Sequence, residues 1–502
     1  MFPKKEYYIG QFKEFARRNV VLILILVFAV IVWTWVFSSA ASQFISTGER
    51  PFRATWGGAG QFTIFGMTIN FNFEGYVDYD YYYYTWGQQF LRGIAPYSRI
   101  FDRSTVGYGL YNTPYFFPPL YVYMCAVGLL LPIDPFGIGL LITLFGFLTA
   151  FPIYGISAYL SNNRRIAQIS VLTYLLNPLV LFHTAFKWLN PAPFVFFMMM
   201  SFYLLMKGRH LSGTLAMVTA ALFKQIAFFL ILPLIAILIK KQMTKASEEN
   251  ESDRKSIRDV LDLKGFGKIV GLAAIYVIAV SFPFLFDLSN YMHYIFEVPS
   301  GFLLTNLTEL PDVGQPITFA VFLIFFGAPI GLIDFVNKAT YYSIFLGGIL
   351  LIILVLMLLQ VRTDNPIKYW RTMMFLTLIL MLCVHIFSPR GVYKYYFVAL
   401  IPFFSILPAS SMITSKRMTP KASIFMLLNP ILLSLLIIIP DRNVYLAMVV
   451  LILLGYLMHS AFSLVYEAAN YGIDAFFRRI KTSLKIPMEP TTISESRVTT
   501  ES

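Results

Sequence analysis

The run VVLILILVFAVIVWTWVF, residues 20–37, contains no charged side chain and decides the class of this protein. At a rise of about 1.5 Å per residue, a helix of roughly 20 apolar residues crosses the hydrocarbon core of a bilayer. A basic arm (Lys4, Lys5, Lys13, Arg17, Arg18) precedes it, and SSAAS follows Phe37. That order resembles a secretory leader with its cleavage site, but the apolar run is too long for a leader's core. The sequence therefore predicts an uncleaved first membrane helix.

Outward from that helix the same pattern repeats. Of the 502 residues, 58% are hydrophobic and 13% charged, against about 25% charged in soluble globules. Mean hydropathy is +0.68. Only helices or closed barrels satisfy the backbone in lipid, and runs this long and apolar are helical. The expected fold is all-α, a polytopic membrane bundle of about 11 to 13 spanning or half-spanning helices. The net charge of +13 has no aromatic-basic patch beside it that would suit nucleic acid, and the basic residues gather where cytoplasmic loops belong. Cys125 and Cys383 sit far apart in apolar runs, with neither zinc spacing nor a disulfide framework, and are expected as core filler.

The positive-inside rule places the arm 1–19, the loop 240–268, the stretch VRTDNPIKYWR (361–371), SKRMTPK (415–421) and the tail from 476 to 502 in the cytoplasm. The membrane domain is then 20–475, both termini are cytoplasmic, and the protein is multi-pass in the cell membrane. The first loop outside, 38–115, is long, carries most of the outside charge and is dense in aromatics. Long loops without structure are rare unless functional, so short interfacial helices are expected there. The stretch TKASEENESDRKSIRD is a solvated mixed-charge loop, and the last sixteen residues are compositionally disordered. NLT at 306–308 is a glycosylation sequon if it faces outside.

Two regions break the alternation of sides. Between Tyr115 and Asn163 there is apolar material for two helices, yet SNNRR (161–165) belongs inside, which needs one net crossing; Phe282 to Tyr342 has the same problem. Short or re-entrant helices resolve both. A third break is sharper. The run from Leu211 to Ile239 is interrupted at ALFKQIAFF by Lys224 and Gln225, with KGRH before it and KK after it, and both flanks belong in the cytoplasm. A turn near Lys224 closes the count. A lysine at the centre of a lipid-exposed helix costs about 2.5–3.5 kcal/mol, so such a residue marks a site or a watery vestibule.

The polar residues that could do chemistry are few. Asp78 and Asp80 lie two apart in VDYDYYYYTWGQQFLRGIAPY (77–97). Repulsion and partial desolvation raise the pKa of at least one, which suits a general base; two solvated acids in a wet loop is the equal alternative. FHTAFKWLNPAP offers His183, Lys187 and Asn190, and HIFSPRGVYKYY offers His385, Arg390 and Lys394. With Lys224, these cations can face the side of Asp78 and suit a lipid-anchored phosphate. Snorkelling at helix ends explains Arg390 and Lys394 equally well, and Lys224 least well. No Walker loop, GxGxxG, HExxH or GxSxG is present.

The stretch 77–97 followed by YFFPPLYVYMCAVGLLLP (115–132), GRHLSGTLAMVTAALFKQIAFFLILPLIAIL (208–238) and FSPRGVYKYYFVALIP (387–402) together resemble the polyprenyl-phosphate-sugar-dependent glycosyltransferases of the GT-C fold, in their mannosyltransferase-like, DUF2029-related branch. The resemblance implies an inverting transfer of a hexose such as mannose from a polyprenyl-phosphate donor to a lipid-linked glycan, glycolipid or protein glycan on the extracytoplasmic face. In it Asp78 is the base and Asp80 its helper. Lys224 and Arg390 hold the donor phosphate, with Lys187, Lys394 and His385 in support. The DYD pair also resembles the acids by which oligosaccharyltransferases hold a divalent metal, so Mg or Mn at Asp78 and Asp80 stays open, while WWDYG and a soluble carboxy-terminal domain are missing. A transporter or flippase of an anionic lipid or solute is the alternative, although no internal symmetry supports it. A non-catalytic assembly subunit is a third.

Overall fold

The computed structural model describes residues 19–46, 59–64, 67–72, 78–98, 101, 114–240, 261–298, 323, 326–387, 393–407 and 434. It is an all-α polytopic membrane bundle with one small hairpin. The elements in chain order are α1 (Val20–Ser46), β1 (Ala59–Ile64), β2 (Met67–Asn72), a π-helical turn Tyr79–Tyr84 leading into α2 (Thr85–Leu91), α3 (Pro119–Leu129), α4 (Gly137–Leu148), α5 (Ala150–Ser161) and α6 (Arg164–Leu175). A turn at Pro178–Val180 and a π turn Leu181–Phe186 lead to α7 (Pro191–Met206), α8 (His210–Phe223), a 3-10 segment Gln225–Leu230 and α9 (Ile231–Ile239). Then come α10 (Leu263–Ser281), α11 (Leu288–Met292), α12 (Ile330–Tyr341), α13 (Ile344–Leu359), α14 (Pro366–Ile386), a 3-10 turn Lys394–Ala399 and α15 (Ile401–Ile406).

Five stretches among the described residues are long and apolar enough to span: Val20–Ser42, Gly137–Ser161, Leu263–Glu297, Ile344–Arg362 and Pro366–Ile386. Arg164–Leu175 and Pro178–Phe186, bent by 42°, make a sixth if taken together, and four shorter apolar helices fill in between them. The arm 1–18, most of the loop 240–268, the sequon at 306–308, the segment 415–421 and the tail lie outside the described residues.

The region from Tyr115 to Asn163 has a physical explanation. α3 has 11 residues and is too short to cross hydrocarbon, whereas α4 and α5 run on as one apolar stretch of 25 residues, Gly137–Ser161. One short helix plus one span gives a single crossing. α3 starts where Pro118 and Pro119 supply no amide hydrogen. The hydroxyl of Tyr115 accepts from the Val122 amide at 2.9 Å and donates to the Pro118 carbonyl at 2.6 Å, satisfying one of the donors a helix start leaves open. At the turn into α6, Asn162 adopts φ 51°, and the Asn163 side chain accepts from the amides of Arg165 and Ile166.

The run Leu211–Ile239 does break at Lys224, whose backbone is extended (φ −153°, ψ 133°) between α8 and the 3-10 segment. The two flanks return to the same end of the bundle. The Lys207 ammonium lies 5.8 Å from the Tyr159 ring at the end of α5, and Arg371 donates to the Leu160 carbonyl there at 3.1 Å. Lys240 pairs with Leu261 through the backbone and donates to the Thr363 carbonyl, with its ammonium 4.1 Å from the Tyr369 ring. The basic segments around 161–165, 207–210 and 361–371 thus meet, with Lys240 and Leu261, at one end. Lys224 is separated from Lys240 by six 3-10 and nine α-helical residues, about 25 Å at their rises per residue.

Within 38–115, α1 continues to Ser46, and β1 and β2 form an antiparallel hairpin in the register Ala59↔Asn72 to Ile64↔Met67. The hairpin is an addition to the short helices expected in this loop. α2 ends in a Schellman turn: Gly93 at φ 79° donates to the Phe90 carbonyl and Ile94 to that of Gln89.

Candidate functional site

The tyrosine run after Asp78 docks the loop onto the bundle. Tyr79 donates to the Pro135 carbonyl at 2.6 Å and accepts from the Gly139 amide at 3.2 Å. Tyr84 donates to both Asp134 carboxylate oxygens at 3.2 and 3.1 Å. Trp86, almost fully buried, packs at 5.0 to 6.3 Å between ring centroids against Tyr82, Tyr83, Tyr115, Phe116, Phe117 and Tyr121. The apparent excess of tyrosine is a set of aromatic bodies with one polar tip each. Burial pushes the hydroxyls of Tyr83, Tyr97 and Tyr115 well above their ordinary pKa, so they stay protonated donors.

Tyr83 begins a polar thread that runs into the bundle. Its hydroxyl donates to Asp78 Oδ2 at 3.4 Å and accepts from Asn190 Nδ2 at 2.8 Å. Asn190 Oδ1 accepts from the Lys224 ammonium. The thread therefore links Asp78 at the head of the π turn, Asn190 at the start of α7 and Lys224 at the end of α8. The Lys224 ammonium also lies over the rings of Tyr396 (4.9 Å), Tyr395 (5.5 Å) and Phe194 (5.8 Å), which attract a cation through their π faces. The neighbouring Gln225 side chain donates to the Phe116 carbonyl. Lys224 is thus accommodated by an amide and aromatic faces rather than by lipid.

The other expected residues surround this thread unevenly. His385 is buried in α14, its ring 5.5 Å from that of Tyr396, and its Nδ1 is bonded to the Met381 carbonyl at 2.5 Å. Lys187 and Lys394 are buried, and the ring of the buried His183 is 6.1 Å from that of Tyr395. Arg390 lies outside the described residues, as does the side chain of Asp80, although its backbone belongs to the π turn. No three His, Cys, Asp or Glu side chains converge on a metal position among the described residues. Sequence reasoning did not single out Tyr83, Tyr395 or Tyr396, and it named Asn190 among the polar residues without giving it a role.

No curated protein matches the chain. Residues 105–314 match the family model of the GPI transamidase subunit PIG-U. This match corrects the sequence-based resemblance: it points to a GPI transamidase subunit and not to a polyprenyl-phosphate mannosyltransferase. The inferred glycosyltransferase activity, with its hexose transfer from a polyprenyl-phosphate donor to a glycan acceptor, is overturned on the same ground. The physical reason is that an aromatic loop with acids, docked on a bundle holding buried cations, needs no transfer chemistry: the tyrosines anchor the loop and the acid accepts one of their hydroxyls. What the chain is similar to over 105–314 is therefore a subunit of an anchor-attaching assembly.

Proposed function

We propose that this chain is a non-catalytic, multi-pass membrane subunit of a GPI transamidase-type assembly. The observation that carries the reading is the family match across 105–314, a stretch that includes α3 through α11 and with them Lys187, Asn190 and Lys224. The site chemistry supports it. The Asp78 carboxylate accepts from a tyrosine of its own turn, and the hydroxyls of Tyr79, Tyr97 and Tyr115 donate to backbone carbonyls. These groups hold the loop in place. Much of α1, of Leu263–Glu297 and of Ile344–Arg362 is unburied within the chain, leaving apolar faces for lipid and for neighbouring membrane helices. In this reading the basic end of the bundle is cytoplasmic, by the positive-inside rule, and the polar thread lies toward the opposite face.

The test is to purify the tagged full-length chain from its own membranes in mild detergent and identify its companions by mass spectrometry, beside cells that lack it. The expected result is a fixed-ratio complex with other membrane chains, one of them carrying the catalytic machinery, and loss of GPI attachment to a reporter in the deficient cells. A chain that purifies alone, with anchor attachment unchanged in its absence, contradicts the proposal.

A further inference from the structure

We propose that the α5–α6 turn, the end of α7 and the start of α14 form a binding surface for anionic phospholipid headgroups, carried by Arg164, Arg165, Lys207 and Arg371. It lies at the basic end of the bundle, away from the Asp78–Tyr83–Asn190–Lys224 thread. Three elements converge on the last turn of α5. The Lys207 ammonium is 5.8 Å from the ring centroids of both Tyr159 and Tyr203, bridging α5 and α7. Arg371 donates from α14 to the Leu160 carbonyl at 3.1 Å. Arg164 and Arg165 begin α6 just beyond, across a turn made by Asn162 at φ 51° and capped by Asn163, which accepts from the amides of Arg165 and Ile166.

The charge gathered there is unbalanced. The described stretches 159–165, 203–210 and 361–371 hold seven Lys and Arg residues and one acid, Asp364. Asp364 adjoins Thr363, whose carbonyl accepts from the Lys240 ammonium. None of the seven forms an ion pair with the carboxylate of a described residue; His293–Glu297 is the ion pair between described side chains. All but Arg371 are exposed, and Arg371 is partly so. The positive-inside rule asks for basic residues on this side of the membrane, but not for their gathering around one helix end, where like charges repel. Local helix preference does not ask for it either. The first turn of α6 has no acid, and the positive end of a helix dipole favours an anion there and disfavours Arg164 and Arg165. An anion seated on this surface relieves both conflicts.

The place of the surface selects the anion. α5 closes the span Gly137–Ser161 and α14 opens the span Pro366–Ile386, so these cations stand at headgroup depth. Basic clusters at the ends of spanning helices draw anionic lipid, and arginine forks match phosphate oxygens in pairs. The inference rests on the membrane reading of the chain and not on the assembly it joins.

The experiment measures thermal unfolding of the full chain in nanodiscs of phosphatidylcholine, alone or with phosphatidylserine or phosphatidylinositol added. Wild type should melt higher with either anionic lipid, and the gain should shrink at high salt. In Arg164→Gln/Arg165→Gln the gain should fall by about half or more. The melting temperature in phosphatidylcholine should stay level in that variant, because both side chains are exposed. Lys207→Gln should also lose gain, whereas Lys338→Gln, the same charge change in the last turn of α12, should keep it. No gain in wild type, equal gains in all variants, or an equal loss in Lys338→Gln overturns the surface. Soluble polyglutamate that raises the melting temperature where anionic lipid does not would assign an acidic protein partner instead, and would overturn it too. None of these readouts depends on the partners of the chain.

Discussion

Replacing Gly137 with Val is expected to leave no detectable folded protein. A Cβ at this position would stand 1.9 Å from the Gly128 carbonyl oxygen, and one at Gly128 would meet the backbone of Ile138 at 2.7 Å. The chain crosses itself there, backbone on backbone, between α3 and α4. A flexible side chain could swing aside from such a clash, whereas a carbonyl held in a helix cannot. Overpacking costs about 1–3 kcal/mol where side chains can adjust, and the requirement here to move the backbone places the cost at or above the top of that range. Since α3 carries the aromatic cluster and α4 begins a span, separating them would disturb both. The check is the monodisperse yield by fluorescence-detected size exclusion of a tagged chain. Wild-type recovery of Gly137→Val would show that the crossing is looser than described.

The second large effect is Trp86→Ala, expected to destabilise by about 3–5 kcal/mol, as for other fully buried tryptophans. Trp86 is 1% exposed and at the centre of the ring cluster that joins α2 to α3. Its loss removes the shared contact of Tyr82, Tyr83, Tyr115 and Phe117. Because the lost contacts lie where α2 joins α3, the loop should detach before the bundle melts. Limited proteolysis near residues 92–99 should accelerate strongly while the overall thermal transition shifts less. Wild-type proteolysis rates in Trp86→Ala would show that the tyrosine hydroxyls alone hold the loop.

Several features were legible because they depend on local rules. The span at Val20–Phe37 follows from length and composition, and the single crossing between Tyr115 and Asn163 from the basic SNNRR at its end. The break at Lys224 followed from one charge in an apolar run and from basic flanks on both sides. What sequence could not give is the pairing of distant residues. Asn190 joins Tyr83 to Lys224 across 107 and 34 positions, and neither partner announces the other. The hairpin at 59–72 escaped notice because its alternation is short and flanked by glycine-rich sequence.

The functional inference failed for a related reason. Acids among tyrosines beside buried lysines resemble a transferase loop, yet the same residue types serve a loop that must anchor at a membrane interface, where aromatic rings with polar tips are favoured. Composition and order do not separate a carboxylate that takes a proton from one that accepts a structural hydrogen bond. The partner of the carboxylate does, and for Asp78 it includes Tyr83.

The most direct test of this account is the surface level of a GPI-anchored reporter in cells whose only copy of the chain carries Asp78→Asn. Asparagine keeps an acceptor for the Tyr83 hydroxyl and abolishes a general base, so any stability cost should stay near 1 kcal/mol, and the reporter should remain within about twofold of wild type. Reporter levels as low as in cells lacking the chain, with Asp78→Asn protein at wild-type abundance, would contradict it and return Asp78 to chemistry.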